Sequence, residues 1–488
     1  MNPLKKLLQQ TAVYGLSSVV GRFLNYLLVP IYTRVFIKEE YGEVTELYAY
    51  VGFLIVLLTY GMETAFFRYF NKEKNNTKVF STAAISLVTT TSVFLIVGLL
   101  FSGSVAEVIR YASHKEYIIY FVLILGFDVL GALPFAKLRV ENKASRFAWI
   151  KLTEIGINIG LNLFFLVACR NVEFLKPLYN ENIGVGYIFI SNLVASAVKI
   201  FLLLPDYKGI GNGFDKKLYR RLIIFAWPLI FVGLAGNANE MLDRVLLKYL
   251  LPFDLNTNMQ HLGVYGACYK LSIFMTLFVQ AFRYAGEPFF FNQSNNQNAK
   301  AIYAIVLKYF VIAGALMFLT IALFLNVFKY FIGKSFWEGL HVVPILLLAN
   351  LLLGVLVNLN IWYKLTNKTK IGAWVAIVGA GITIGLNVWW IPIFGYTGSA
   401  WATLICYTIM VLITYLLGRK YYPINYPIRK ILLFVGAAIG LFMIKMLFFS
   451  KIESQALEII INFSLLITYG AIVVFFEKKQ FLAILKRR

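Results

Sequence analysis

The segments GINIGLNLFF at 156–165 and GITIGLNVWW at 381–390 are nearly the same phrase written twice, 225 positions apart. At the same offset Asn142 and Lys143 correspond to Asn367 and Lys368, and Ala148 and Trp149 to Ala373 and Trp374, without a gap. A chance packing motif would not hold its register across a polar connection and the apolar segment that follows it. A second correspondence links the starts of the halves: TRVF at 33–36 resembles DRVL at 243–246. The chain reads as an internal duplication, and the unit that was duplicated decides the fold.

Composition says what kind of unit it is. The 488 residues are 60% hydrophobic and 14% charged, with a mean hydropathy of +0.74, far from the roughly quarter-charged average of soluble domains. Apolar runs of about 20 residues, long enough to cross some 30 Å of hydrocarbon, follow one another from Ala12 to Phe476. Breaking them at polar clusters predicts an all-α membrane protein of fourteen spans, centred from Phe23 for the first to Leu466 for the last, with Gly381 and Ile405 marking the eleventh and twelfth. The basic start, MNPLKKLLQQ, runs straight into the first span with no small-residue cleavage site, so it is expected to be retained.

With the N-terminus inside, alternate connections and termini hold 31 Lys and Arg and the opposite set 11, which predicts that both termini are cytoplasmic. Much of the +23 net charge is thereby read as topology, and a nucleic-acid partner is not expected. The copies of each repeated phrase begin at spans 5 and 11, and at 1 and 7. The repeat unit is therefore six spans and keeps its orientation. This predicts a six-helix lobe at 1–208, a second at 209–420, related by a pseudo-two-fold axis near the membrane normal, and two further helices with a basic tail at 421–488. Gly156 and Gly160, like Gly381 and Gly385, form GxxxG patterns expected to let helices approach closely, while Asn162 and Asn387 are placed to hydrogen-bond between helices.

Four basic residues, Arg22, Lys199, Lys270 and Lys445, fall within predicted spans. A cation at mid-membrane is costly to insert, so one that persists there is expected to face a cavity or a partner. Arg22 shares a helical face with Ser18, Asn25 and Tyr26, and its guanidinium suits a pyrophosphate or acidic sugar, or else an ion pair with Asp128 of the fourth span. Lys270 follows Tyr265 and Tyr269 and is expected to be a cavity cation. Lys199 is nearer a helix end, where it can either snorkel or reach substrate, and Lys445 lies outside the duplication and reads as structural or snorkelling. Asp128, Glu240, Asp243 and Arg244 are candidates for ion coupling or gating, with Glu240 and Arg244 spaced to pair on one face; a solvated pair at the outer interface is the competing reading. The three cysteines and three histidines are dispersed, so no disulfide framework, metal or cofactor is expected.

At GRFLNYLLVPIYTRVF, EEYGEVTELYAY, DRVLLKYLL, LGVYGACYKLS and IGLNVWWIPIFGYTGSAWATLICY the chain resembles the polysaccharide transporter branch of the multidrug/oligosaccharidyl-lipid/polysaccharide flippase superfamily. Lys270 matches the lysine of that branch's GxYxxxxKL-like pattern. The resemblance implies fourteen helices in two lobes around a cavity in a bacterial cytoplasmic membrane. It further implies flipping of undecaprenyl-pyrophosphate-linked oligosaccharide for O-antigen, capsule or exopolysaccharide assembly, by alternating access coupled to H+ or Na+. Membrane lipids, a polysaccharide polymerase and a chain-length regulator are the implied partners, and a monomer the implied state. The competing classes are a lipid II flippase, a multidrug antiporter with twelve spans and acidic cavity residues, and a membrane glycosyltransferase or polymerase. The last would need a large outer loop, whereas the longest here run only from about Arg170 to Asn182 and from Pro252 to His261.

Overall fold

The computed structural model describes residues 20–485, apart from 71, 74, 295, 367 and 450–453. Among these residues there is no strand. After a helical turn at 20–26, the principal helices are α1 (Val29–Val35), α2 (Lys38–Thr59), α3 (Asn76–Leu100), α4 (Lys115–Val140), α5 (Ala144–Leu163), α6 (Gly186–Leu203) and α7 (Lys216–Leu250). They are followed by α8 (Leu255–Leu271), which continues beyond Ser272 as Ile273–Gln293, then α9 (Ala299–Leu323), α10 (Val343–Leu359), α11 (Thr369–Tyr421), α12 (Ile428–Phe448) and α13 (Gln455–Leu485).

Eleven of the described helices are long and apolar enough to cross a membrane, or twelve when the bent pair around Ser272 is one span. Fourteen separate spans are not reached among the described residues, for two physical reasons. The start of the expected first span, up to residue 19, lies outside them, and its described remainder is interrupted at 27–28. The eleventh and twelfth follow one another directly in Thr369–Tyr421, where two helices meet at a kink at Gly395 (φ 61°, ψ −147°), so this single stretch holds both. That backbone region is open essentially to glycine alone. Gly395→Ala should therefore lower stability by about 1–3 kcal/mol, read as a reduced thermal midpoint in detergent. An unchanged midpoint would mean that the break relaxes freely.

Helix ends follow local chemistry. The Glu40 carboxylate accepts from the Ile37 N–H (3.0 Å) at the start of α2, where Glu39 and Glu40 also complement the helix dipole. Asp215 caps α7 by accepting from the N–H groups of Leu218 (3.0 Å) and Lys217 (2.9 Å). The Leu218 bond, ahead of that from Lys217, holds its carboxyl below the usual aspartate range. Thirty-five residues of α7 span ~50 Å at the helical rise, more than the hydrocarbon needs.

The chain packs as two compact units, one of residues 1–266 with 383–395, the other of 267–382 with 396–488. The first includes α7 and the beginning of α8, so packing does not divide at the repeat boundary of 208 and 209. Its core gathers Phe66, Phe80, Leu87, Leu133 and Leu222. The second holds two clusters, around Phe290, Tyr303 and Ile361, and around Leu356, Tyr407 and Met410.

The glycine patterns do not act as expected. A Cβ added at Gly156, Gly160, Gly381 or Gly385 would meet nothing within 4 Å among the described residues, so these faces of α5 and α11 approach no other described helix closely. The opposite, asparagine-bearing faces are the ones that pack. Close approach occurs instead where α2 meets α8: Gly42 lies against the Met259 carbonyl, Gly263 against that of Lys38, and Gly266 against the Thr45 side chain.

Candidate functional site

The duplicated phrase makes the same pair of bonds twice. Asn162 Nδ2 donates to the Asn158 carbonyl (2.8 Å), and Asn387 Nδ2 to the Thr383 carbonyl (2.8 Å). One turn back, Asn158 Nδ2 donates to Asn25 Oδ1 (3.1 Å) and Thr383 Oγ1 to Asn239 Oδ1 (3.1 Å). The fifth helix of each half is thus tied to the first helix of the same half from matching positions of the fifth helix, 158 and 383. Tyr32 adds a bond from its hydroxyl to Asn162 Oδ1 (2.9 Å). Asn25 is accordingly part of a helix-joining network, with its neighbour Tyr26 buried.

Arg22 stands on the same short helical segment and is exposed. Among the described residues it makes no ion pair; Ser18, the other member of its expected stripe, lies outside them. The alternative partner, Asp128, is engaged elsewhere. Lys199, reaching from α6, pairs with Asp128 of α4 and with Glu154 of α5 (2.9 Å), and Ser196 Oγ donates to Asp128 Oδ1 (3.0 Å). Lys151 closes the group on Glu154 (2.7 Å). Lys199, with its side chain 4% exposed, does not snorkel. Two lysines and two carboxylates neutralise one another inside a three-helix contact, where none of the four could be left alone cheaply.

On α7, Asp243 is buried and accepts from the Tyr265 hydroxyl (2.6 Å) and the Arg244 N–H (2.9 Å). The Arg244 guanidinium donates to the backbone carbonyl of Glu240 (3.0 Å), while the Glu240 side chain is exposed. The (i, i+4) spacing therefore brings Arg244 to Glu240 through the main chain. Lys270 is half-buried in the last turn of α8, beside the fully buried Cys268 and Leu271. Lys270 belongs to the second compact unit and Arg22 to the first.

Several charged residues that sequence reading passed over are buried. Glu46 and Lys248 form an ion pair of 2.8 Å with side chains 0% and 1% exposed. Lys308 of α9 pairs with Glu477 of α13, which also holds Lys430 (2.8 Å). Lys445 pairs with Glu458 (2.9 Å), and Asn462 donates to the Leu323 carbonyl (2.9 Å). These bonds fasten α12 and α13 to α9 at both ends, so Lys445 neither snorkels nor stands alone. Lys445→Met should lower the thermal midpoint by leaving Glu458 without its cation. An unchanged midpoint would contradict that assignment.

Among the described residues no group of three or more His, Cys, Asp or Glu is placed to hold a metal ion, and the three cysteines are buried. The site chemistry on view is that of fixed charge and hydrogen bonding.

Comparison with known proteins places this arrangement. The fold is similar over 96% of this chain and 99% of the other to a structure described as lipid II flippase MurJ in an inward closed conformation, with a TM-score of 0.73 and 14% identity. It is similar to an inward-facing multidrug resistance MATE family transporter of the MOP superfamily over 81% of this chain and 93% of that one, with a TM-score of 0.65 and 13% identity. A structure of the MATE multidrug transporter DinF-BH gives a TM-score of 0.62 at 16% identity, covering 87% of this chain and 97% of that one. No curated protein sequence matches. Residues 7–292 match the model of a family described as polysaccharide biosynthesis protein. That match extends over more than half of the sequence, and the chain is a multi-pass membrane protein that belongs to the polysaccharide biosynthesis protein family, with a fold in common with MurJ and the MATE transporters.

Proposed function

We propose that the protein is a flippase, not an enzyme, that carries undecaprenyl-pyrophosphate-linked oligosaccharide units from the cytoplasmic to the outer leaflet of a bacterial cytoplasmic membrane, for O-antigen, capsule or exopolysaccharide assembly. The observation that carries this reading is Arg22: an exposed guanidinium on a membrane-associated helix, without an ion pair among the described residues, in a member of a polysaccharide biosynthesis family. A pyrophosphate offers such a fork two or more charged acceptors. Asn25 beside it and Lys270 on α8 are the further substrate-contacting residues of the proposal. The coupling ion, H+ or Na+, is assigned to the carboxylates Asp128, Glu240 and Asp243, with Arg244 and Lys199 setting the local charge. Both termini are placed in the cytoplasm by the distribution of basic residues.

A lipid II flippase is the second reading, favoured by the nearly full-length likeness to MurJ. The two share a polyprenyl pyrophosphate and differ in the sugar. The experiment that separates them supplies the protein to one strain lacking its oligosaccharide flippase and to another lacking its lipid II flippase. Rescue of the first alone is expected; rescue of the second alone would transfer the assignment to lipid II. In the rescued strain Lys270→Gln should reduce function more than Lys270→Arg, because charge rather than bulk is required. Equal activity of the two would remove Lys270 from the site.

A further inference from the structure

Helices α2 and α7 run antiparallel along one seam, and the repeat places them in different halves. From the expected cytoplasmic end outward, Gly61 lies on the Ala226 carbonyl, Gly233 on Val56, and Gly52 on Met241 and Asn237, whose Nδ2 donates to the Gly52 carbonyl. The outer end closes on Glu46 and Lys248.

The two ends of the seam are tied by ion pairs of opposite character. At the inner end Arg221 meets Glu73 (2.7 Å, side chains 52% and 30% exposed), and Lys78 meets Asp215 (3.7 Å, 45% and 32%). Such wet pairs are screened and contribute little. At the outer end the pair is dry and completely solvated by protein. Lys248 Nζ donates to Glu46 Oε2 (2.8 Å) and to the Ile109 carbonyl (2.7 Å), and lies 4.0 Å from the Tyr111 ring centre. Glu46 also accepts from Tyr111 (2.6 Å) and Tyr50 (2.8 Å). The other buried pairs described above, Lys199 with Asp128 and Glu154, Lys308 with Glu477, and Lys445 with Glu458, join helices inside one half or to the C-terminal pair. This one joins the halves.

We propose that Glu46 and Lys248 are the extracytoplasmic latch of the transporter: a dry ion pair across the repeat boundary that holds the α2–α7 seam shut and parts when the seam opens outward. The proposal rests on the transporter reading and on the basic-residue topology. Its physical logic is that a buried ion pair comes near to balancing attraction against desolvation. When the seam opens, both charges lose each other and regain water, so the open state costs less than separating an apolar contact of equal area. Closed, the pair still specifies one register, since either charge alone in the seam is strongly unfavourable.

The test is accessibility. Met241, half-buried with its sulfur against Gly52, lies two helical turns inward of Lys248, so the closed latch stands between it and the outer face. In a full-length chain with Cys169→Ala, Cys268→Ala and Cys406→Ala, Met241→Cys supplies the thiol, and a membrane-impermeant maleimide is added to intact cells. Slow labelling is expected, at least ~10-fold faster with Glu46→Gln, because the uncompensated Lys248 disfavours the closed seam. The doubly uncharged variant Glu46→Gln with Lys248→Met should return the rate towards the parent, because no uncompensated charge is left in the seam, and serves as the decisive variant if the single substitution folds poorly. An unaltered rate in a folded Glu46→Gln protein overturns the latch. So does acceleration that the doubly uncharged variant does not reverse, or acceleration only for reagent supplied from the cytoplasmic side. The readout involves no substrate, so a protein that carried something other than a lipid-linked oligosaccharide would still show it, and a failed transport assay alone would not remove it.

Discussion

Replacing Arg22 with alanine is expected to abolish oligosaccharide flipping in a protein that remains folded. The residue is exposed, and no carboxylate among the described residues is paired with it, so its removal strands no buried partner. Its cost to stability should stay within about 0.5 kcal/mol, as for other exposed substitutions. A charge-assisted hydrogen bond is worth about 1.5–3 kcal/mol, and a guanidinium makes two to a pyrophosphate, so a loss of ~10²-fold or more in transport is expected. Arg22→Lys keeps the charge and loses the fork, and should fall between. The check is complementation of a flippase-deficient strain at matched protein level, with lipid-linked oligosaccharide accumulating on the cytoplasmic face. Normal complementation by Arg22→Ala would dismiss the cationic-site mechanism.

Lys199→Met should have the opposite signature. It leaves Asp128 and Glu154 confronting each other inside the α4–α5–α6 contact with only the partly exposed Lys151 to compensate. Removing one member of a buried ionic group costs about 3–5 kcal/mol. The thermal midpoint in detergent should drop steeply, and Asp128→Asn in the same chain should restore part of it, a non-additivity expected of residues in one network. Were Lys199→Met fully stable but inactive, Lys199 would belong with Arg22 as a substrate cation.

The apolar periodicity was sufficient for an all-helical membrane fold. What it could not show was partnership at long range. Arg22 and Asp128 are both charges in spans, and nothing in the sequence says that Asp128 is taken by Lys199, 71 residues away, or Glu46 by Lys248, 202 away. Hydropathy averages along a segment, whereas burial is decided by what a neighbouring helix lays over it. The GxxxG patterns failed for a related reason: small residues at helical spacing mark a face that allows close approach, and only tertiary structure says whether a helix uses it. Gly42, Gly263 and Gly266, which are used, form no such pattern across α2 and α8. The asparagines of the same phrase, expected to bond between helices, make their matching bonds to carbonyls one turn back on their own helices, and Asn162 also accepts across helices from Tyr32.

The account stands on an anionic carrier lipid being moved by a fixed cation. The direct measurement is flipping of a fluorescent undecaprenyl-pyrophosphate oligosaccharide in proteoliposomes, followed by quenching of the outward-facing label, for the wild-type protein and Arg22→Ala side by side. Rapid loss of protection with the wild type, and a rate for Arg22→Ala close to that of protein-free vesicles, is the result predicted. Equal rates for the two proteins, whether both fast or both at the level of empty vesicles, would contradict it.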